Sequence, residues 1–170
     1  QFEELFSSGN LFSNKNYATI MFDDGYKDNI EYAADILQKY NCKASFYVVT
    51  DCIDKNTLTW THILEYTFQN TNVDSLVIDF EFLPSEFLTN SLHNQEIRIQ
   101  YLRKVKPFLK TLPQSQRDLF IERVKTTYSD VELPLLMMNW NDISQLKNAG
   151  HYIGSHTVSH AMLGTINDEE

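Results

Sequence analysis

The sequence predicts an α/β chain whose strands run parallel, interrupted by a long, mainly helical segment. The opening part reads strand, helix, strand, a βαβ unit whose crossover implies parallel strands. The closing part returns to helix and then strand. Between Gly25 and Gly150 there is no glycine, which marks the middle as structured and not as a linker.

Each element has its own signal. Tyr17 to Phe22 is a short β-prone run stopped by Asp23-Asp24-Gly25. Ile30, Ala33, Ala34, Leu37 and Tyr40 recur at spacings of three and four, one face of a helix, with Asp28 and Asn29 suited to its start. Ala44 to Val49 is the second strand. In the middle, Trp60 to Phe68 reads as a helix, and Val73 to Phe82 alternates Ile78, Phe80 and Phe82 against Asp79 and Glu81, as a half-exposed strand would. From Ser91 to Leu112 the positions Ile97, Tyr101, Val105, Phe108 and Leu112 keep helical spacing, with Pro107 expected to kink or break it. Gln116 to Tyr128 is a further helix. Asp142 to Asn148 is another, with Asn139 or Asn141 to cap it and Gly150 to end it, and His151 to Ser155 is a short strand. One domain over 1–170 is expected, with the first βαβ unit at 17–52, a mainly helical insertion at 53–138, and the last helix with its following motif at 139–164.

Composition narrows the function. A chain of 170 residues that is 42% apolar supports a real core. Fourteen Lys and Arg against 23 Asp and Glu give a net charge of −9, which argues against a nucleic-acid or anionic-membrane binder. No apolar run approaches the roughly 20 residues that span a bilayer, so no transmembrane segment is expected. Cys42 and Cys52 flank the second strand, which would hold them roughly 25–30 Å apart if extended, beyond disulfide reach. Free thiols suit a reducing compartment without requiring one. The start at Gln1, without a cationic-then-apolar leader, reads as a processed or trimmed piece.

Two clusters carry chemistry. Asp23-Asp24 closes an apolar strand, and the carboxyl ends of parallel strands are where ligands gather. Taken alone, Asp-Gly after a strand is as readily a simple turn. His156 and His160 stand four residues apart; on a helical turn their Cβ atoms would lie about 5–6 Å apart on one face, placed to chelate one metal. Such a pair also arises on solvated helices. Together, two imidazoles and one carboxylate form a facial set for a divalent transition metal, with the second carboxylate free to act as a base. The haloacid-dehalogenase arrangement is excluded, because its two aspartates are separated by one residue and these are adjacent, facing opposite sides of an extended backbone.

Phe22-Asp23-Asp24-Gly25 resembles the first motif of the polysaccharide deacetylases, the NodB-like domain of carbohydrate esterase family 4. Gly154-Ser155-His156-Thr157-Val158-Ser159-His160 is similar to their second motif, H-[ST]-x-x-H with its preceding I-G-S. Lys43 to Val48 resembles the strand after their first helix, and Trp140 to Gly150 the helix leading into the second motif. The resemblance implies the first half of a distorted (β/α) barrel carrying an insertion. It implies that Asp24, His156 and His160 hold a divalent metal, zinc first, with cobalt, nickel, iron or manganese also compatible. It implies that Asp23 is the catalytic base and that an N-acetylated carbohydrate is the substrate.

The long separation of Asp24 from His156 is accounted for by the insertion, which is expected to shape substrate access. Tyr152 stands where the family often has Glu. The family's later motifs, which supply an orienting arginine, an oxyanion donor and an acidic histidine, are not located before Glu170. A half barrel leaves an open sheet edge, so a longer chain or a second copy is expected to complete it. Two other functions stay open: an O-deacetylase or cyclic-amide hydrolase on the same metal platform, and a non-catalytic carbohydrate-binding domain that retains the triad. His62, His93 and His151 read as surface or locally hydrogen-bonded. Arg98, Arg103, Lys104, Lys106 and Lys110 read as the solvated face of a helix. Trp60 and Trp140 read as packing residues and Met137-Met138 as core filler.

Overall fold

The computed structural model describes residues 7–9 and 18–166. In chain order it contains β1 (Met21–Phe22), a π-helical turn (Asn29–Ala33) running into α1 (Ala34–Lys39), β2 (Ser45–Val48) and α2 (Thr50–Lys55). Then come α3 (Trp60–Asn70), β3 (Ser75–Val77), a 3-10 turn (Ser85–Phe87), β4 (Thr89–Ser91), α4 (Gln95–Leu109) and α5 (Gln114–Thr127). The described elements end with α6 (Trp140–Asn148) and β5 (Tyr152–Ser155). They form two compact units, one of the residues through Thr57 with Leu135–His160, the other of Leu58–Pro134 with the residues from Ala161.

The first unit is a parallel sheet in the order β1-β2-β5. Met21 pairs with Ser45 and Phe22 with Phe46, while Ser45 to Val48 pair in step with Tyr152 to Ser155. The central strand is covered on both faces: Ala44, Phe46 and Val48 are buried on one and Ser45 on the other. Phe22 and Phe46, register partners, stack at 4.9 Å. The first predicted strand is observed over Met21–Phe22; its beginning at Tyr17 lies outside the described residues. The predicted first helix starts with a π turn, and of its apolar stripe Leu37 is buried whereas Tyr40 is exposed.

Local chemistry fixes the ends of α6. Asn139 Oδ1 accepts from the amides of Asn141 and Asp142, and Asp142 Oδ2 accepts from the Asn139 amide at 2.9 Å, a reciprocal cap. Trp140 is half exposed, and its indole N–H donates to Asp54 Oδ1 at 2.6 Å. At the start of β5, His151 is buried, its ring edge against Phe46, and its Nδ1 accepts the Ala44 amide at 3.2 Å.

The second unit packs α3, α4 and α5 around Leu64, Phe68, Val105, Phe120 and Val124, with β3 and β4 paired antiparallel. The alternation seen from Val73 to Phe82 persists in burial, Leu76 and Ile78 in and Val77 and Asp79 out, but strand pairing stops at Val77. Beyond it Phe80 and Phe82 stack on each other at 5.0 Å. The helix predicted from Ser91 begins at Gln95, where Asn94 Oδ1 caps the Ile97 amide, because Thr89–Ser91 is taken by β4. Pro107 does not break it: α4 runs on to Leu109. Arg98 corrects a second expectation. It is not on a solvated face but buried, donating to the carbonyls of Leu92, Phe68, Thr71 and Val73.

Burial, with the nearby Lys43 charge, holds the His151 imidazole below its ordinary pKa of 6.5. Above that value the ring is neutral folded or unfolded; below it the unfolded chain takes the proton first, so folding stability falls as pH drops. Protonation would also remove the lone pair that accepts the Ala44 amide. The urea midpoint is expected to fall between pH 7 and 5.5 more steeply in wild type than in His151→Gln, and an unchanged slope in the variant would refute the assignment.

Candidate metal centre

Three loops leave the carboxyl ends of β1, β2 and β5 on the same edge of the sheet. From β1 the chain turns at once: the Gly25 amide donates to the Asp23 carbonyl at 2.9 Å, and Asp24 between them has φ of 71°. Asp tolerates this left-handed backbone better than most residues. The Asp24 carbonyl accepts the Val49 amide at 3.2 Å, tying the turn to the end of β2. On its other side Gly25 O accepts the Met138 amide at 3.0 Å, and Met137 bridges Tyr26.

The loop after β5 is held in the same manner. The His156 amide donates to Val48 O at 2.8 Å, continuing the β2–β5 ladder by one bond. The first amides of α2, those of Thr50 and Asp51, then donate to the carbonyls of Thr157 and Val158 at 3.3 and 2.9 Å. This overturns the expectation of a helical turn over His156–His160. The segment is a loop in which Thr157 and His160 have φ of 67° and 57°, the former costly for a β-branched residue.

The loop nevertheless brings the two imidazoles together, ring centres 5.2 Å apart. Asp24 Oδ1 lies 3.6 Å from His156 Nε2 and 3.5 Å from His160 Nε2. Asp24, His156 and His160 each offer one ligand atom, all within 4.8 Å of one another, the grouping a metal ion requires. Asp24 Oδ1 is itself buried and accepts no hydrogen bond. A carboxylate oxygen shielded from water without a donor is costly unless a cation meets it, so the residues present fit a divalent ion. Asp23 is exposed at the end of β1 and is not part of that group.

Cys52 is nearby in α2 but belongs to the core. Burial, then the charges of Asp24 and Asp51, push its thiol up to about 11, so it stays protonated at neutral pH. Both cysteines are free, as their placement around β2 implied.

Two supports of the centre were not read from the sequence. One is the β2–α2 junction, whose main-chain amides hold both loops and leave no mark in residue type. The other is Gly154, two residues before His156, which faces Tyr47 across the β2–β5 register. A Cβ at 154 would come within 2.6 Å of the Tyr47 ring. A lone glycine inside a strand is the signal for such close approach.

A family model described as polysaccharide deacetylase matches residues 12–170. No curated protein and no solved structure matches the chain.

Replacing Gly154 by Ala forces the Tyr47 ring aside, and destabilisation of about 1–3 kcal/mol is expected in urea unfolding. Adding Tyr47→Ala removes the clash, so the double variant should lose less than the two single losses combined. Strict additivity would show that the two residues do not press on each other.

Proposed function

Because the chain belongs to the polysaccharide deacetylase family, we propose that it serves the metal-dependent hydrolysis of N-acetyl groups on a sugar or polysaccharide. The observation that supports this reading best is the meeting of Asp24 with His156 and His160 at the carboxyl edge of a parallel sheet. In it these three residues hold the ion, zinc first and cobalt, nickel, iron or manganese by the same ligands. A divalent ion there supplies Lewis acidity, bringing the pKa of water toward neutrality and polarising the acetamide carbonyl.

The chain's own residues do the rest. Asp23, exposed beside the half-buried Asp24, is open to solvent and substrate and serves as the base that takes the proton from the attacking water. Addition of that water to the carbonyl carbon, cleavage of the C–N bond and return of the proton from Asp23 to the departing nitrogen release acetate and leave an amine on the sugar. The left-handed turn at Asp24 gives two adjacent carboxylates different surroundings, one at the ligand cluster and one in the open, as their different roles require.

We also read the sheet as part of a distorted (β/α) barrel, with the 53–138 segment as an insertion in it. Among the described residues β5 has a free edge, and a cleft of about 460 Å³ lined by Trp140, Ile143, Lys147 and Tyr152 lies beside it. Further strands, from a longer chain or a second copy, would complete the barrel there. Light scattering tests this: a monomer of the 170-residue chain with sharply cooperative unfolding would refute it.

The decisive experiment measures bound metal and acetate release for wild type, Asp24→Ala, His156→Ala, His160→Ala and Asp23→Asn. Near-stoichiometric metal is expected in wild type, with affinity reduced at least about tenfold in each ligand variant. Asp23→Asn should keep the metal and lose about 10²–10⁴-fold in acetate release from N-acetylated oligosaccharides. A wild type that binds no transition metal under replete, neutral conditions would sink the metal-centre reading. Release from O-acetyl but not N-acetyl sugars would replace the substrate, and metal binding without any release would leave a binding module.

A further inference from the structure

The two buried arginines of the Leu58–Pro134 unit are treated very differently. Arg98 gives its N–H groups to four main-chain carbonyls and has Asp74 at 3.5 Å. Arg117, on α5, is only 1% exposed, yet its Nε and Nη1 are shut off from solvent and have no acceptor. Its guanidinium carbon lies 5.3 Å from the ring centre of Trp60, at the start of α3, and the Trp60 indole N–H is likewise buried without an acceptor. Asp118, next in the chain, is exposed and hydrogen-bonds Gln114.

The indole face attracts the guanidinium charge, but it does so across the plane of the group. The N–H donors of a guanidinium lie in that plane, and the ring contact leaves those of Nε and Nη1 unmet. The guanidinium does not escape by losing its proton. What remains is a buried guanidinium whose Nε and Nη1, like the Trp60 N–H, have no acceptor, and whose counter-charge, Asp118, is exposed and acts on it without a direct ion pair. A water would answer the donors but not the charge. We infer that Arg117 and Trp60 form an anion site that takes a small monovalent anion, halide or carboxylate. This inference is independent of the proposed deacetylase centre and is tested without it.

The test is the thermal midpoint of the full chain in rising chloride or acetate, at constant ionic strength made up with the bulky morpholinoethanesulfonate. In wild type the midpoint is expected to rise with the logarithm of anion concentration above its dissociation constant. A rise with chloride alone identifies a halide site, with acetate alone a carboxylate site, and with both a site for either. Arg117→Met, apolar and similar in length, should be insensitive to both anions and at least as stable as wild type without them. Trp60→Phe, which keeps the ring but not the N–H, should weaken the anion effect roughly tenfold. Crystals grown in bromide should show an anomalous peak at Arg117, a readout that needs no variant. The inference is overturned by a wild-type midpoint that does not move when chloride or acetate replaces morpholinoethanesulfonate, by an equal rise in Arg117→Met, or by a neutral water on these donors in the bromide crystals.

Discussion

The candidate centre depends on one arrangement, the parallel pairing of β2 on both of its sides. β1 and β5 do not pair with each other; they meet across β2, with Phe22 opposite Phe46 and Ser155 opposite Val48. Those pairs set where each strand ends, and so where Asp24 and His156 begin their loops. A slip of one residue would turn every side chain of β5 to the other face and bring a larger residue than Gly154 against Tyr47. The stacking of Phe22 on Phe46 and the burial of Val48 and Val49 are thus conditions for the Asp24–imidazole distances.

The second condition is main-chain hydrogen bonding at the end of β2. Left-handed backbone at Asp24, Thr157 and His160 is unfavourable by about 1–3 kcal/mol for a residue held there, and it persists only where the surroundings enforce it. Here the junction of β2 with α2 does so for both loops. Val49 fixes the carbonyl of Asp24, Thr50 and Asp51 fix those of Thr157 and Val158, and Val48 receives the amide of His156. One short stretch of backbone therefore couples the conformations of two segments that the sequence separates widely.

What was legible in the sequence was local. The βαβ opening, the cap of α6 by Asn139 and Asp142, and β5 all follow from signals within a few residues. So do the two motifs that hold the candidate ligands. The shape of the second motif was not legible: four-residue spacing suggests a helical turn, and the amides of α2 impose a loop instead. In the other unit β4 went unread because Thr89-Asn90-Ser91 has no alternating apolar pattern, and its pairing with Ser75–Val77 is the long-range fact that defines it. Arg98 sits among basic residues and reads as solvated; what buries it are the carbonyls of Phe68, Thr71, Val73 and Leu92, groups that every residue has. Pro107 was expected to interrupt α4, yet the helix bonds on either side of it suffice to carry the chain two residues further.

The left-handed backbone at residues 157 and 160 places durability and chemistry in competition. Glycine or asparagine would relax either position. At 157 the relaxation retains the carbonyl that meets Thr50, and both imidazoles remain. At 160 it removes one of the two rings facing Asp24. Laboratory evolution that rewarded yield or heat resistance alone would accept both changes and erode the centre at the second, a stability–activity trade-off located at a single residue.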